Sequence, residues 1–415
     1  MSFSLRTAFI VSLLAAPALA SNVWVVAQPA GPGVDFTSIQ AAIDAAASGD
    51  TILVRHAQGV SYLESLTIDG KSLVITGDTI STLALTNVYG PQPHVVRNVP
   101  AGGAVVFRRM FLSYGGAAID GPGLWVHDNA GSVWLEESRI NGGGVAVRAE
   151  RNAALALLRC GTRGGGALFE LAPGYAGIEC IDSRIAVIEG QVLGGAGKHA
   201  NYGDVDGATV GGPALVLASG EVLVDKAELR GGLGGFGSSA AMPCLPPGDG
   251  GPGYAQSGGL LRDHQGFIHG GEHGDSGNCG PMGAVDGPAS TTSGGVLEAM
   301  AAPYAGAWSN SRPLREGETA VLQYTSSAPG LHIATLGGLP TALPLPYGTL
   351  LQGGPFQVIV FAGATSGLQT KSFALVDLGP GVEGVNVVVQ GSACDVTGAC
   401  WAGSGAVLTI LDASF

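Results

Sequence analysis

Runs of alternating apolar residues, each ending at a glycine, recur along much of the chain. Four such stretches in the first half are residues 106–115, 133–142, 155–164 and 185–194, and two later ones are 222–231 and 261–270. An apolar residue at every second position is typical of half-buried β-strands, and recurrence of one unit is typical of a solenoid. The pattern therefore predicts a stack of short strands.

The spacing of these stretches divides the stack into two parts. Successive glycine ends lie 27, 22 and 30 residues apart in the first part and 37 and 39 residues apart in the second. We interpret this as a coil of about 22 residues with inserted glycine-rich loops. The long loops leave from the same position in every coil and return through Pro213, Pro252 or Pro288, so they are expected to stack on one flank. Their glycines are interpreted as turn residues.

Alternation also predicts which side chains point into the stack. One inward column is expected to contain Val106, Val133, Leu155, Ile185, Val222 and Leu261. A second, less regular one is expected to contain Arg108, Leu135, Leu157, Val187, Val224 and Asp263. Phe107 and Trp134 then point outward, where they could stack on sugar rings or pack beneath a neighbouring loop. Both alternatives stay open.

The two ends of the stack have their own patterns. Residues 35–47 have helical spacing, with Asp35 as a candidate N-cap, and a β-run over 51–54 follows; this predicts a helix that closes one end. From residue 314 onward, strand-like runs continue without the glycine column, which predicts a small antiparallel, sandwich-like β-domain. The predicted domains are 21–305 and 306–415.

Residues 1–20 have the form of a signal peptide. Arg6 supplies the positive charge, 8–16 are apolar, and Ala18-Leu19-Ala20 is a small-residue cleavage site. No later stretch contains 18 uninterrupted apolar residues, so no transmembrane segment is expected after cleavage. The predicted location is the cell surface, the periplasm or the medium.

Composition supports a folded, exported protein. The chain has 70 glycines and only 12% charged residues, yet 46% of its residues are hydrophobic, which excludes a disordered chain. Its net charge of −13 argues against nucleic-acid partners. Six cysteines in an exported chain are expected to be oxidised, and of the 15 connectivities we prefer three local pairs. These pairs are Cys160–Cys180, Cys244–Cys279 and Cys394–Cys400.

The run from Asp35 to Val54, with its Gly-Asp-Thr-Ile stretch, resembles the start of pectin-lyase-like right-handed parallel β-helix proteins. The resemblance covers about the first fifty residues after the signal peptide, and the repeats extend it by pattern to about residue 300. It implies an extracellular polysaccharide as partner. Lyases, glycosidases, epimerases and non-catalytic adhesins share this fold, so the fold does not settle the activity.

One candidate for catalysis is Trp125-Val126-His127-Asp128. It resembles the Trp-x-Asp-His stretch of the lyases with His and Asp exchanged, and no cluster of aspartates accompanies it. We therefore favour a polar turn, followed by a short stack of Asn129 and Asn152 at a coil corner. No residue is predicted to be catalytic.

A charged column lies five residues before the glycines: Met110, Glu137, Arg159, Glu189, Lys226 and Gln265. Another alignment puts Asp182 in place of Glu189. Charges that alternate in sign on adjacent strands neutralise one another, so we favour a structural role over a binding groove.

The glycine-rich flank contains the remaining candidates. His269, His273 and Asp275 lie in one loop close to His264, and Asp206, Asp249 and Asp286 precede glycines in three successive loops. The histidines are candidate binding residues and Asp206, Asp249, Asp275 and Asp286 are candidate Ca²⁺ ligands, although Asp-Gly is also an ordinary turn signal.

Together these features predict a secreted β-helix protein that binds polysaccharide or forms part of the cell surface without catalysis. The alternatives are a polysaccharide lyase or glycoside hydrolase, and a structural protein stabilised by Ca²⁺. The sequence does not predict the sugar or the oligomeric state.

Overall fold

The structure is a computed structural model. It describes residues 22–55, 61–78, 85–114, 121–167, 172–200, 207–238, 244–276, 283–300, 304–308, 312–327, 330–345, 348–361, 367–375, 378, 381–395 and 400–415. The predicted signal peptide at 1–20, Asp206 and Cys279 lie outside these residues.

Strands are the main regular structure of the described chain, which has one helix near its start. The elements up to residue 163 are β1 (Val23–Val26), α1 (Ile39–Ala45), β2 (Thr51–Arg55), β3 (Thr67–Asp69), β4 (Leu73–Asp78), β5 (Thr86–Gly90), β6 (His94–Arg97), β7 (Ala104–Arg108), β8 (Met110–Tyr114), β9 (Leu124–Glu136), β10 (Arg139–Asn141), β11 (Val147–Leu158) and β12 (Gly161–Arg163). Shorter strands follow: β13 (Ile178–Ile181), β14 (Ser183–Ile188), β15 (Gln191–Leu193), β16 (Leu215–Leu217), β17 (Gly220–Asp225), β18 (Glu228–Arg230), β19 (Tyr254–Gln256), β20 (Leu260–His264), β21 (Phe267–His269), β22 (Ser290–Thr292) and β23 (Val296–Ala299).

These strands form two long parallel sheets, which the chain visits alternately. The 16-stranded sheet consists of two rows, joined because β9 and β11 bend and belong to both. The first row is β3, β6, β9, β11, β13, β16, β19 and β22. The second row is β1, β2, β4, β7, β9, β11, β14, β17, β20 and β23. The third row is the seven-stranded sheet β5, β8, β10, β12, β15, β18 and β21.

The chain turns between rows at single residues with left-handed backbone conformations. Between the first and second rows these residues are Asn98, Asp128, Arg151 and Asp182, with φ from 48° to 57°. Between the second and third rows they are Arg109, Glu137, Arg159, Glu189, Lys226 and Gln265, with φ from 47° to 57°. One residue in this conformation redirects the strand sharply without a loop, so successive corners stack into columns.

The inward side chains of the three rows form one continuous apolar core. It follows the predicted columns, except that the first member of each is displaced by one residue. Val105, not Val106, pairs with Val133, and Phe107, not Arg108, pairs with Leu135. Phe107 is therefore a core residue and does not share a column with Trp134.

The displacement arises at the end of β8. Ser113 pairs with Asn141, so Tyr114 occupies the position that Gly142 takes one repeat later. Alignment of Gly115 with Gly142 was therefore wrong. The interval is 28 residues, as the hydrogen bond from Met110 to Ser138 also shows, and not 27.

Helix α1 is held at both ends by side chains from the following repeat. Its N-cap is Ser38 rather than Asp35, whose carboxylate instead accepts a hydrogen bond from the backbone N–H of Val25. Glu64 accepts hydrogen bonds from the Ser38 hydroxyl and from two amides of the first turn. The Lys71 ammonium donates to three carbonyl oxygens at the C-terminal end. The negative charge of Glu64 lies at the positive end of the helix dipole and the positive charge of Lys71 at its negative end, so both stabilise the helix.

The last strands form a separate sheet. They are β24 (Ala305–Trp308), β25 (Leu314–Arg315), β26 (Thr319–Ser326), β27 (Gly330–Leu345), β28 (Gly348–Phe361), β29 (Gly367–Ala374), β30 (Gly384–Asp395) and β31 (Cys400–Leu411). Most neighbours are antiparallel, as predicted, but all eight strands belong to one sheet that curls until β28 meets β31. The C-terminal sheet is thus curled and single, not a two-sheet sandwich.

No helix in the described part of the chain is long and apolar enough to cross a membrane.

Candidate functional site

The outward face of the second row is covered by the C-terminal sheet. Trp134 and Val106 are fully buried there and pack with Val388 and Val407 of the C-terminal sheet. Trp134 therefore packs under a neighbouring part of the chain, and Phe107 lies in the core. Neither side chain is accessible, so the prediction that they bind sugar was wrong.

The charged column at the second corner is part of this covered interface. Its charges alternate as predicted, with Arg109 rather than Met110 as the first member. Arg159 lies 2.7 Å from Glu136, 3.5 Å from Glu189 and 3.7 Å from Glu137. Asp182 belongs to the other corner, so the second alignment was wrong.

The same charges bind the backbone of the C-terminal sheet. The Arg159 guanidinium donates to the carbonyl of Gly405, and the backbone N–H of Val407 donates to Glu136. Burial raises the pKa of Glu137, and the adjacent charge of Glu136 raises it further. Buried charges are tolerated only when they are paired, and here the pairing also joins two parts of the chain.

A second contact of this interface contains His264. Its Nδ1 lies 2.6 Å from Asp225, whose other carboxylate oxygen accepts a hydrogen bond from the indole N–H of Trp401. The rings of His264 and Trp401 are in contact, with centroids 3.8 Å apart. All three residues are buried. His264 is thus part of the interface and not of the glycine-rich flank, where the sequence placed it.

The glycine-rich flank consists of extended segments that are hydrogen-bonded to one another. Outgoing segments 194–200, 231–237 and 270–276 follow the third row, and returning segments 207–213, 246–252 and 283–289 lead back to the first row. Residues three apart donate in the same direction: Gly194, Gly197 and Ala200 donate to Arg230, Leu233 and Phe236. A period of three residues is that of a polyproline-II-type helix, whose amides are free to pair with neighbours.

Glycine is required in this flank because the segments lie very close together. A Cβ at Gly232 would lie 1.9 Å from the carbonyl oxygen of Gly195, and one at Gly271 would lie 2.0 Å from that of Gly232. Neither residue has a positive φ. The interpretation of these glycines as turn residues was therefore wrong, since their role is close packing.

Of the described predicted ligands of the flank, Asp249 is half-buried and the others are exposed, and each has a local partner. His269 Nε2 lies 3.1 Å from Glu228, and His273 Nδ1 lies 2.7 Å from Asp286. Asp249 accepts a hydrogen bond from the amide of Val285. Among the described residues, Asp249, Asp275 and Asp286 do not assemble into a group of three or more that could hold a metal ion.

The cysteines follow the predicted pairing only in part. Cys394 and Cys400 form a disulfide bond, as predicted. Cys244 is also disulfide-bonded. Cys160 and Cys180 are free, buried thiols, and burial raises the pKa of each to about 12. Their predicted bond was wrong because Cys180 lies in the first row, whereas Cys160 follows the corner before the third row.

The outward face of the first row contains a chain of ion pairs. His127 lies 2.7 Å from Asp128, which binds Arg151 in a bidentate pair, and Trp125 stacks near the His127 ring. Arg148 pairs with Glu150 and Glu179. Asp128 is itself a corner residue, as the turn interpretation predicts.

The predicted asparagine stack is present at this corner. The Asn129 amide donates to Asn152, 2.7 Å away, and both amides also donate to backbone carbonyls of the preceding repeat. The Asn152 side-chain amide also donates a hydrogen bond to the hydroxyl of Ser183 in the next repeat. The stack is buried, and its role is structural.

The third row differs from the second because its outward side chains reach solvent. Two columns point outward. One contains Asn87, Phe111, Arg139, Gly161, Gln191, Glu228 and Phe267. The other contains Tyr89, Ser113, Asn141, Arg163, Leu193, Arg230 and His269.

This third-row face combines aromatic, basic and amide side chains. Tyr89 and Phe111 are half-buried and form an edge-to-face pair with centroids 5.8 Å apart. Sequence reasoning missed the face because its outward residues follow no apolar rule. The signal was present: each outward residue flanks an inward one, as Arg139 and Asn141 flank Ile140.

The chain matches no protein-family model and no curated protein sequence.

Proposed function

We propose that this chain is an exported right-handed parallel β-helix protein, similar to the pectin-lyase-like proteins, that binds polysaccharide without cleaving it. Long parallel sheets whose strands form three rows, visited in turn by the chain, support the β-helix. The disulfide bond between Cys394 and Cys400 supports an oxidising location.

The observation that carries the proposal is the open third-row face. Sugar rings present C–H faces that pack on aromatic side chains and hydroxyls that pair with amides and charged groups. The Tyr89–Phe111 pair and the polar side chains beside it offer both kinds of contact on strands at regular spacing. A polymer of repeating units suits a surface of repeating strands.

The absence of cleavage is supported by the burial of two groups of acidic and basic side chains. Asp225 and His264 are buried beneath the C-terminal sheet, and Glu136 is buried with Arg159. General acid–base catalysis needs groups that reach the substrate, and these do not.

Binding is tested by retardation of the full-length protein in native gels that contain single polysaccharides, neutral and acidic. Phe111→Ala and Tyr89→Ala should each weaken retardation several-fold. Phe236→Ala removes an exposed aromatic ring from the glycine-rich flank and serves as the control. Wild-type protein that is retarded by no polysaccharide would overturn the proposal, as would release of reducing ends.

A second candidate function is a lyase or hydrolase with its site on the first row. The observation that favours it is the orientation of His127 by Asp128, itself fixed by Arg151, beside the Trp125 ring. In such a site His127 would act as the base. Bond cleavage that disappears in His127→Ala, with unchanged folding, would support this candidate.

A further inference from the structure

Gly161 on the third-row face is a glycine that neither backbone conformation nor packing requires. Its φ is not positive. A Cβ placed on it would lie 3.7 Å from Cγ of Arg139, an ordinary contact, with no other heavy atom as close. In the glycine-rich flank, by contrast, a Cβ would collide with backbone atoms. Gly161 therefore keeps open a space that the fold itself does not need.

That space is a notch in the outward column of the third row. Gly161 pairs with Arg139 on β10 and with Gln191 on β15, so a residue without a side chain lies between two long ones. Neighbouring strands lie about 4.8 Å apart, so the notch is roughly 10 Å wide between the two side chains.

Two arginines border the notch, and neither has a partner in the described chain. Arg139 and Arg163 are both exposed, and Arg163 pairs in register with Asn141. On the outward faces of the other rows, Arg97, Arg148 and Arg262 are in ion pairs, and Arg184, which has none among the described residues, lies in register with Glu221. In a chain with a net charge of −13, two adjacent arginines with no described carboxylate within 4 Å form a local positive site.

We infer that the third-row face binds a linear polyanion, whose carboxylate or sulfate groups pair with Arg139 and Arg163 while its backbone lies over Gly161. A guanidinium forms two parallel hydrogen bonds with either group. This inference rests on the proposed polysaccharide binding and specifies the chemical class of the ligand.

The surroundings favour a polymer over a small anion. Phe111 lies on the strand before Arg139, in the same column, and pairs with Tyr89. Gln191 lies on the far side of the notch. Aromatic, basic, open and amide positions thus follow one another on β8, β10, β12 and β15. A small anion would occupy only the arginines.

The experiment measures binding of full-length protein to immobilised polygalacturonate, heparin, dextran and arabinan. Wild-type protein should bind at least one of the two polyanions, and the pair identifies whether carboxylate or sulfate is preferred. The double variant R139A/R163A should lose at least tenfold in affinity for that polyanion and most of its salt dependence. R139K/R163K should retain part of the affinity, because charge remains but the bidentate geometry is lost.

Gly161→Leu tests the notch separately from charge. It should reduce polyanion affinity at least tenfold without lowering the melting temperature, because residue 161 lies in an outward column and a Cβ there would meet only Cγ of Arg139, at 3.7 Å. Arg184→Ala is the matched control, because Arg184 is exposed, lies in the second row and makes no ion pair within the described residues. It should bind like wild type.

The outcomes distinguish a failure of this inference from a failure of the proposed polysaccharide binding. Binding to dextran or arabinan but to neither polyanion, or polyanion binding unchanged in R139A/R163A, would overturn the inference and leave polysaccharide binding intact. No binding to any of the four polymers would overturn both. An equal loss in Arg184→Ala would show non-specific charge attraction and would also overturn the inference.

Discussion

His94 is a buried histidine that is held in its neutral form. Its Nδ1 accepts a hydrogen bond from the amide of Leu66, and Nε2 lies 3.3 Å from the carbonyl oxygen of Ser113, to which it donates. Burial lowers its pKa from 6.5 to about 4. Protonation of Nδ1 would remove the acceptor of the Leu66 backbone N–H. The charged form of His94 is therefore favoured in the unfolded chain and disfavoured in the folded one.

This histidine should make stability fall between pH 6.5 and 4. In that range the unfolded state binds a proton that the native state does not, so stability decreases as pH falls, by about 3 kcal/mol over the full window. Urea unfolding followed by circular dichroism at pH 7 and pH 4 measures the effect. His94→Gln should lose about 3 kcal/mol less than wild type over this interval. Parallel pH profiles for the two proteins would contradict the assignment.

Asn152 provides a second test at a single residue. Asn152→Ala removes the acceptor of the Asn129 amide and leaves the carbonyl of Val126 without its donor, in a buried place. We expect a loss of about 2–3 kcal/mol in the free energy of unfolding, measured with urea. The control, Asn141→Ala on the third-row face, should change stability by less than about 0.5 kcal/mol. Similar losses in both variants would show that the stack is not the cause.

At this scale the sequence predicted the kinds of residue but not their exact register. Asn129 and Asn152 could be recognised because a polar residue recurs at the same place in successive repeats. The register near Val106 could not, because Tyr114 stands where later repeats have glycine, and a shift of one residue turns every side chain to the other face.

The glycine-rich flank shows what a whole element adds. A polyproline-II-type segment forms no hydrogen bonds within itself. Each segment is therefore stabilised by hydrogen bonds to the segments around it. Gly212, Gly232, Gly251 and Gly271 form one continuous line of such bonds across the repeats. A side chain at one position would therefore separate several segments at once.

Two glycine substitutions distinguish close packing from turn formation. Gly232→Ala would place a Cβ 1.9 Å from the Gly195 carbonyl oxygen and should cost about 3 kcal/mol. Gly166→Ala would place it 3.5 Å from the nearest atom and should cost less than about 0.5 kcal/mol. Thermal unfolding of both variants measures the difference. Equal effects would mean that close approach is not what selects glycine at residue 232.

The sequence could predict that the long loops share one flank, because they leave from the same position in each repeat. It could not predict their conformation, because glycine allows both turns and close packing, and only the neighbouring segments decide between the two. The third-row face was missed for a related reason: its outward residues follow no apolar rule, and Gly161 resembles every other glycine in the sequence.

In the whole molecule, the C-terminal part of the chain contacts the second row near both of its ends. Near one end Glu383 accepts a hydrogen bond from the amide of Val23, and Arg315 lies 3.3 Å from Asp78. Near the other, Trp401 contacts Asp225, and Lys226 lies over the ring of Tyr304. A stack of repeats in which each contacts only its neighbours can unfold piecemeal, but contacts that span many repeats couple them.

These contacts predict that the parallel sheets and the C-terminal sheet unfold cooperatively. Far-UV circular dichroism and tryptophan fluorescence should give coincident transitions for the wild-type chain. Asp225→Ala removes the acceptor shared by His264 and Trp401 and should cost about 3–5 kcal/mol. The exposed pair Asp69–Arg97 supplies the control, since Asp69→Ala should cost less than about 1 kcal/mol. Separate transitions in wild type would contradict the coupling.

Contacts between the first strands and the C-terminal sheet also determine when folding can be completed. Val23, Val25 and Leu53, on β1 and β2, pack with Leu411 of β31. During synthesis the outward face of β1 and β2 therefore stays exposed until residue 411 has been made. These contacts have very long sequence separation, so the closing step is expected to be the slow one. Until then this apolar face is where chaperones would bind and where aggregation would start.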